Sequence, residues 1–212
     1  MVPELIIFDC DGVLVDTEPI ANRVLAEMLT AEGYPIDVET CVARFMGRPG
    51  VEMAREVEAE LGRPLSDGFL ARHDQRIVDA FLAAPRTPPG IHQALAALSG
   101  RRCVASSSEP DYLRSVLGAT GLWHRFERVF SASEVARGKP APDLFLLVAG
   151  RLGVAPARCT VLEDSRHGVD AAKAAGMRCI AVPGPDFDPA EFAGAADLVL
   201  ATLADLRDVH LR

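Results

Sequence analysis

The sequence predicts an α/β protein: a parallel sheet covered by helices on both faces, interrupted near its start by a helical insertion. Three observations carry this. The run Leu5-Ile6-Ile7-Phe8 is continuously apolar and stops at Asp9-Cys10-Asp11-Gly12, as a buried strand of a parallel sheet stops at a polar turn. Residues 16–85 then contain nothing that reads as a strand. Beyond them, strand and helix patterns alternate, which implies parallel strands joined by crossover helices.

The first strand delivers Asp9 and Asp11 to its carboxyl end, where open α/β sheets bind ligands. Their alternate spacing lets both point to one side with Cys10 turned away, and Gly12 suits a backbone other residues resist. Residues 19–32 read as a helix, apolar at Ile20, Val24, Leu25, Met28 and Leu29 and stopped at Gly33. Shorter helices are expected at 37–45 and 51–61, separated by Gly47-Arg48-Pro49-Gly50, and a longer one at 67–81. The turn-rich residues 84–90 close the insertion. A helix at 91–98 leads to a strand at 102–105 that ends in Ser106-Ser107-Ser108. A helix at 111–117, a short strand at 129–131, the loop Gly138-Lys139-Pro140-Ala141-Pro142 and a helix at 143–152 follow. The strand at 159–162 runs into Glu163-Asp164-Ser165. A helix at 168–175 and strands at 178–182 and 198–200 complete the chain.

Length and composition narrow the function. The 212 residues suffice for one sizeable core or for a core with a smaller inserted domain. Hydrophobic residues make up 49% and charged ones 25%, ordinary for a soluble globular protein. No apolar run approaches the roughly 20 residues of a membrane span, and no secretion signal is visible. Five cysteines without a CxxC pair read as buried or free thiols in a reducing compartment, so a cytoplasmic location is expected. A net charge of −8 without a basic run argues against nucleic acid and anionic membrane as partners. An anionic substrate must then be attracted locally. Lys139 and Lys173 are the only lysines among many arginines, and such a lysine marks a place for a compact point charge.

Three polar clusters follow three strands and should meet at one sheet edge. Asp9 and Asp11 are close enough that both ionise only with a cation between them or a division of labour. The functional reading makes Asp9 a nucleophile and Mg²⁺ ligand and Asp11 a general acid/base. A solvated turn and a calcium loop are the alternatives, and Val13, Leu14 and Val15 stand where a calcium loop needs ligands. The Ser106 hydroxyl, with backbone N–H groups at a helix start, suits a phosphate oxygen. Glu163 and Asp164 add carboxylates, and Lys139 a positive charge. Mg²⁺ would take Asp9, Asp164 and the Asp11 carbonyl, with Glu163 touching it directly or through water. Asp9 would then attack phosphorus while Asp11 protonates the leaving oxygen.

These motifs together (DCDGVLVDTE, the serine ending the next strand, GKPAPD and EDSRHGVDAAKAAGM) resemble the haloacid dehalogenase superfamily. The resemblance is narrower with its branch of β-phosphoglucomutase and sugar-phosphate phosphatases, and it covers nearly the whole core. It implies a Rossmann-like doubly wound core at 1–15 and 86–212, with a four-helix cap at 16–85 that closes over the site and excludes water. It assigns the nucleophile to Asp9 and acid/base work to Asp11. Phosphate contacts fall to Ser106, Ser107 and Lys139, and metal ligation to Asp9, Asp11, Glu163 and Asp164. Gly47-Arg48 resembles the cap loop that descends onto the substrate, making Arg48 a substrate-binding candidate beside the reading of a solvated arginine. Arg44, Arg72, His73 and Arg76 read as surface residues, His167 as part of a helix start, and Asp16-Thr17 as a hinge. Glu134 and Ser108 are supporting candidates.

The function implied is an Mg²⁺-dependent phosphatase acting on a small phosphorylated metabolite, as a monomer or weak homodimer. A hexose-phosphate mutase is the rival. Pro19-Ile20-Ala21 lacks the histidine that such mutases carry after the first motif, and Arg48 comes slightly early after its glycine. A dehalogenase has no use for Asp11, Glu163 and Asp164. A phospho-accepting signalling module would lack the cap, and a non-catalytic binding protein would not keep every catalytic group.

Overall fold

The computed structural model describes residues 3–46, 48–184 and 188–207. The chain divides into two compact units, one formed by Thr17–Ala84 and the other by the chain up to Asp16 and from Pro85 onward. In the sheet unit the two connecting segments run side by side, with the Asp16 N–H donating to the Arg86 carbonyl at 3.1 Å.

Thr17–Ala84 is helical throughout its regular elements. Helix α1 (Glu18–Ala31) buries Ile20, Val24, Leu25, Met28 and Leu29 and packs against α2 (Val38–Phe45) and α4 (Phe69–Ala83). Asp37 caps α2 by accepting the Thr40 N–H at 2.7 Å. Helix α3 (Gly50–Leu61) follows. Helix α4 starts two residues later than the sequence pattern suggests, because Gly68 occupies the cap position.

The other unit is a six-stranded parallel sheet. Strands β1 (Leu5–Phe8), β2 (Arg101–Ser106), β3 (Val129–Ser131), β4 (Cys159–Glu163), β5 (Arg178–Ala181) and β6 (Leu198–Val199) take the order β3-β2-β1-β4-β5-β6. That is the doubly wound order, whose switch point lies where β1 pairs with β2 on one side and β4 on the other. Helices α5 (Ile91–Ala97), α6 (Pro110–Ala119), α7 (Asp143–Leu152) and α8 (Arg166–Ala174) accompany the sheet, with short 3-10 turns between elements.

All four β1 residues are buried, which explains the unbroken apolar run. Leu5 and Ile7 join a core with Phe130, Phe145, Val148, Val161 and Val169, while the Phe8 ring meets Phe126 edge-on at 5.5 Å. Phe130→Ala is expected to cost about 3–5 kcal/mol of unfolding free energy, because the ring is fully buried and its loss leaves a void in the core. A urea titration reads this as a lowered midpoint at an unchanged slope. All five cysteines are free and buried. Among the described residues, no helix is long and apolar enough to cross a membrane.

Candidate active site

The ends of β1 and β4 flank the switch point, and the chain turns sharply after each. Beyond β1, the Cys10 carbonyl accepts the N–H groups of Leu14 and Val15 at 2.7 and 3.0 Å, folding the loop back with the Cys10 side chain buried. This leaves Asp9 facing Lys139. The ammonium donates to Asp9 Oδ1 at 2.6 Å, to Glu163 Oε1 at 2.5 Å and to the Ala105 carbonyl at 3.2 Å. Three donors meet three acceptors, which is the full capacity of a lysine. The Phe145 ring centroid lies 5.3 Å from Nζ. Lys139 therefore sits 5% exposed between carboxylates that are 11% and 0% exposed.

Glu163 is further held by the Ser165 N–H and hydroxyl, both donating to Oε2. Ser165 is also the cap of α8, accepting the Gly168 N–H at 3.1 Å. Helix α8 thus begins at Arg166, two residues before the sequence pattern predicts, and His167 stands exposed in its first turn, at the helix start as expected. One oxygen from each of Asp9, Glu163 and Asp164 lies within 4.8 Å of the others. Two glycines make this crowding feasible. A Cβ at Gly12 would fall 1.8 Å from Asp164 Oδ2, and one at Gly168 would fall 1.9 Å from Glu163.

The cluster crowds three carboxyl groups around one lysine. Burial raises the Asp9 carboxyl to about 7, with Lys139 opposing the rise and Glu163 adding to it. Burial, then Asp9 and Glu163, push Asp164 well above the usual carboxylate range. Burial disfavours the Lys139 charge, but Asp9 and Glu163 overcome it and hold the ammonium form more tightly than in water. Three convergent carboxylate oxygens with one lysine fit a hard, oxygen-seeking cation, which would relieve that repulsion.

Asp11 leaves the loop in another direction. Its Oδ2 accepts from the Ser108 hydroxyl at 2.8 Å and its Oδ1 from the Tyr112 hydroxyl at 2.5 Å. Its carboxylate is not part of the three-carboxylate cluster. Ser106, at the end of β2, is 1% exposed and its hydroxyl accepts the Ser108 N–H at 3.1 Å. Ser107 is exposed. Ser131 donates to the Ser108 carbonyl at 2.8 Å and is itself bracketed by Glu134, whose carboxylate takes the Ser131 N–H. Tyr112 escaped the sequence reading. It carries no motif, and only its place one turn into α6 after the serine run hinted at it.

Within Thr17–Ala84, Arg48 donates to Glu56 at 2.7 Å and to the Arg44 carbonyl at 3.2 Å; Gly47 lies outside the described residues. Arg44 is no plain surface residue. It binds Glu56, Glu60 and the Tyr34 hydroxyl, tying α2 to α3. Its hydrogen bonds to Glu60, then Glu56 and the Tyr34 hydroxyl, outweigh desolvation and hold its guanidinium further in the charged form. His73 is also corrected. Its side chain is 14% exposed, and its Nε2 is buried without a hydrogen-bond partner among the described residues. It lines a cavity of about 380 Å³ with Asn22, Arg48, Phe45 and Met53. Arg76 pairs with Glu27 at 3.0 Å on the surface, and Arg72 binds the Asp67 carbonyl and the Ser66 hydroxyl.

A doubly wound sheet with a lysine locked between buried carboxylates at its switch point defines an α/β enzyme with an acidic, cation-seeking site. The chain belongs to the haloacid dehalogenase-like hydrolase family, whose model matches residues 3–176. It is 35% identical over 179 residues to a fructose-1-phosphate phosphatase of Escherichia coli, covering 84% of this chain and 95% of that protein. A conserved haloacid dehalogenase-like protein from Agrobacterium tumefaciens superposes with a TM-score of 0.86 at 38% identity, covering 97% of this chain and 96% of that one. A hydrolase of the same family from Deinococcus radiodurans, solved with bound phosphate and sodium, superposes at 0.82 with 29% identity, covering 97% and 94%.

Proposed function

We propose that this hydrolase is an Mg²⁺-dependent phosphatase of small sugar phosphates or sugar-acid phosphates. The observation that carries the reading is Lys139 bridging Asp9 and Glu163 beside Asp164. A nucleophilic carboxylate attacking a phosphate dianion needs its repulsion cancelled, and fixed positive charge at the sheet edge does that. The match to a fructose-1-phosphate phosphatase supports the substrate class.

Asp9, Glu163 and Asp164, with the Asp11 carbonyl, would hold the Mg²⁺, which supplies charge neutralisation at the phosphoryl oxygens. Asp9 attacks phosphorus, forming a carboxylate–phosphorus bond as the bond to the leaving oxygen breaks. Asp11 gives its proton to that oxygen and then takes one from the water that attacks phosphorus, so the bond to Asp9 breaks and inorganic phosphate departs. Ser106 and Ser107 contact the phosphoryl oxygens, and Lys139 does so by exchanging one of its present acceptors for a phosphoryl oxygen. Residues 16–85 act as a cap that selects the substrate, with Arg48 as a contact.

Phosphate release from a panel of sugar phosphates, sugar-acid phosphates and nucleotides, with and without Mg²⁺, tests this. Turnover that ignores chelation, or confinement to nucleotides, would sink it. Interconversion of phosphoglucose isomers after priming with a bisphosphate would instead reveal a mutase. Gly12→Ala is expected to lower Mg²⁺-dependent turnover by more than about tenfold, because the new methyl displaces Asp164 and the backbone there has φ +75°. Activity in an Mg²⁺ titration checks this, and full activity at low Mg²⁺ would contradict the metal assignment of Asp164.

A further inference from the structure

We infer that Tyr112 and Ser108 are positioning residues for Asp11, holding its carboxyl group in the orientation from which it exchanges a proton with the leaving and attacking oxygens. The inference rests on the acid/base reading of Asp11 given above.

An aspartate side chain on a loop turns freely about two bonds, and a proton donor must lie within hydrogen-bond reach of the oxygen it serves. Here two hydroxyls grip the two carboxylate oxygens separately, Tyr112 at Oδ1 and Ser108 at Oδ2. Together they restrain both rotations. Lys139 is committed elsewhere, since its three donors go to Asp9, Ala105 and Glu163.

The two hydroxyls are themselves held. Ser108 is fixed through its N–H by Ser106 and through its carbonyl by Ser131, which Glu134 brackets in turn. Tyr112 rides on the first turn of α6, a helix anchored by the fully buried Leu113, Val116 and Leu117. A grip of this construction orients a reacting group; it does not stabilise a core, because Tyr112 and Asp11 are both partly exposed.

The test compares Tyr112→Phe, Ser108→Ala, Asp11→Asn and the double variant Tyr112→Phe/Asp11→Asn with the unaltered chain in Mg²⁺. The substrates are fructose 1-phosphate, whose leaving alkoxide needs a proton, and p-nitrophenyl phosphate, whose leaving group needs none. Tyr112→Phe is expected to lower kcat on the sugar phosphate about tenfold, with KM unchanged and a smaller loss on p-nitrophenyl phosphate, where Asp11 serves only the water-activating step. Ser108→Ala follows the same split. In the Asp11→Asn background, Tyr112→Phe is expected to cost nothing more, since its effect runs through Asp11. Equal losses on both substrates, a further loss in the double variant, or an unchanged kcat would overturn the inference. An Asp11→Asn enzyme that kept its turnover on fructose 1-phosphate would overturn the acid/base reading itself. Loss in Asp11→Asn with none in Tyr112→Phe overturns only the positioning. Thermal midpoints confirm that each variant is folded.

Discussion

Exchange of Asp9 for Asn is expected to lower phosphate release on the order of 10⁴-fold or more while leaving the fold in place. The amide has the shape of the carboxylate but no nucleophilic oxygen, so the first bond to phosphorus cannot form. The fold survives because Lys139 retains Glu163 as a counter-ion at 2.5 Å. The exchange also removes one carboxyl group from three served by a single lysine, relieving the part of the Asp164 rise that Asp9 adds to burial. The thermal midpoint of the metal-free variant should therefore equal or exceed that of the unaltered protein. Phosphate release and a melting curve on the same preparation check both halves. Residual turnover above about a hundredth would remove Asp9 from the nucleophile's role.

Lys139→Met is expected to cost about 3–5 kcal/mol of stability as well as activity, because it strands two buried carboxylates. Those carboxylates are 11% and 0% exposed, so water cannot replace the lost ammonium. Lys139→Arg should rescue little. Three acceptors converge on one ammonium nitrogen, and a planar guanidinium spreads its donors over several atoms. Urea unfolding reads the loss as a lowered midpoint, and a Met variant within about 1 kcal/mol of the parent would mean that the carboxylates find other partners.

Much of this architecture is legible in the residues. β1 announces itself because a strand covered on both faces must be apolar throughout, and Asp9 at its end could only be a strand terminus. The Lys139 loop and the Glu163-Asp164 pair are readable for the same reason, each lying just beyond or before a regular element. Boundaries were less legible. Strand β2 extends outward to Arg101, whose backbone pairs with Leu5 although its side chain is exposed. A ladder recruits backbone without regard to side-chain hydrophobicity. Helix α8 starts where Ser165 caps it, and serine serves equally well in a turn. His73 looks like one more polar residue on an exposed helix until its ring is seen lining a cavity.

Periodicity, strand ends and the order of the polar clusters belong to neighbours along the chain. The residues alone therefore determined the α/β class, the helical insertion and which acidic and basic side chains stand at strand ends. Which group each of them grips was left to the tertiary structure. Glu163 sits beside Asp164 in the chain yet spends both oxygens on Lys139 and Ser165. Asp11 is held by Ser108 and Tyr112 from 97 and 101 positions away. A hydrogen bond depends on a distance of about 3 Å and a direction, and no spacing in a sequence encodes either across a hundred residues.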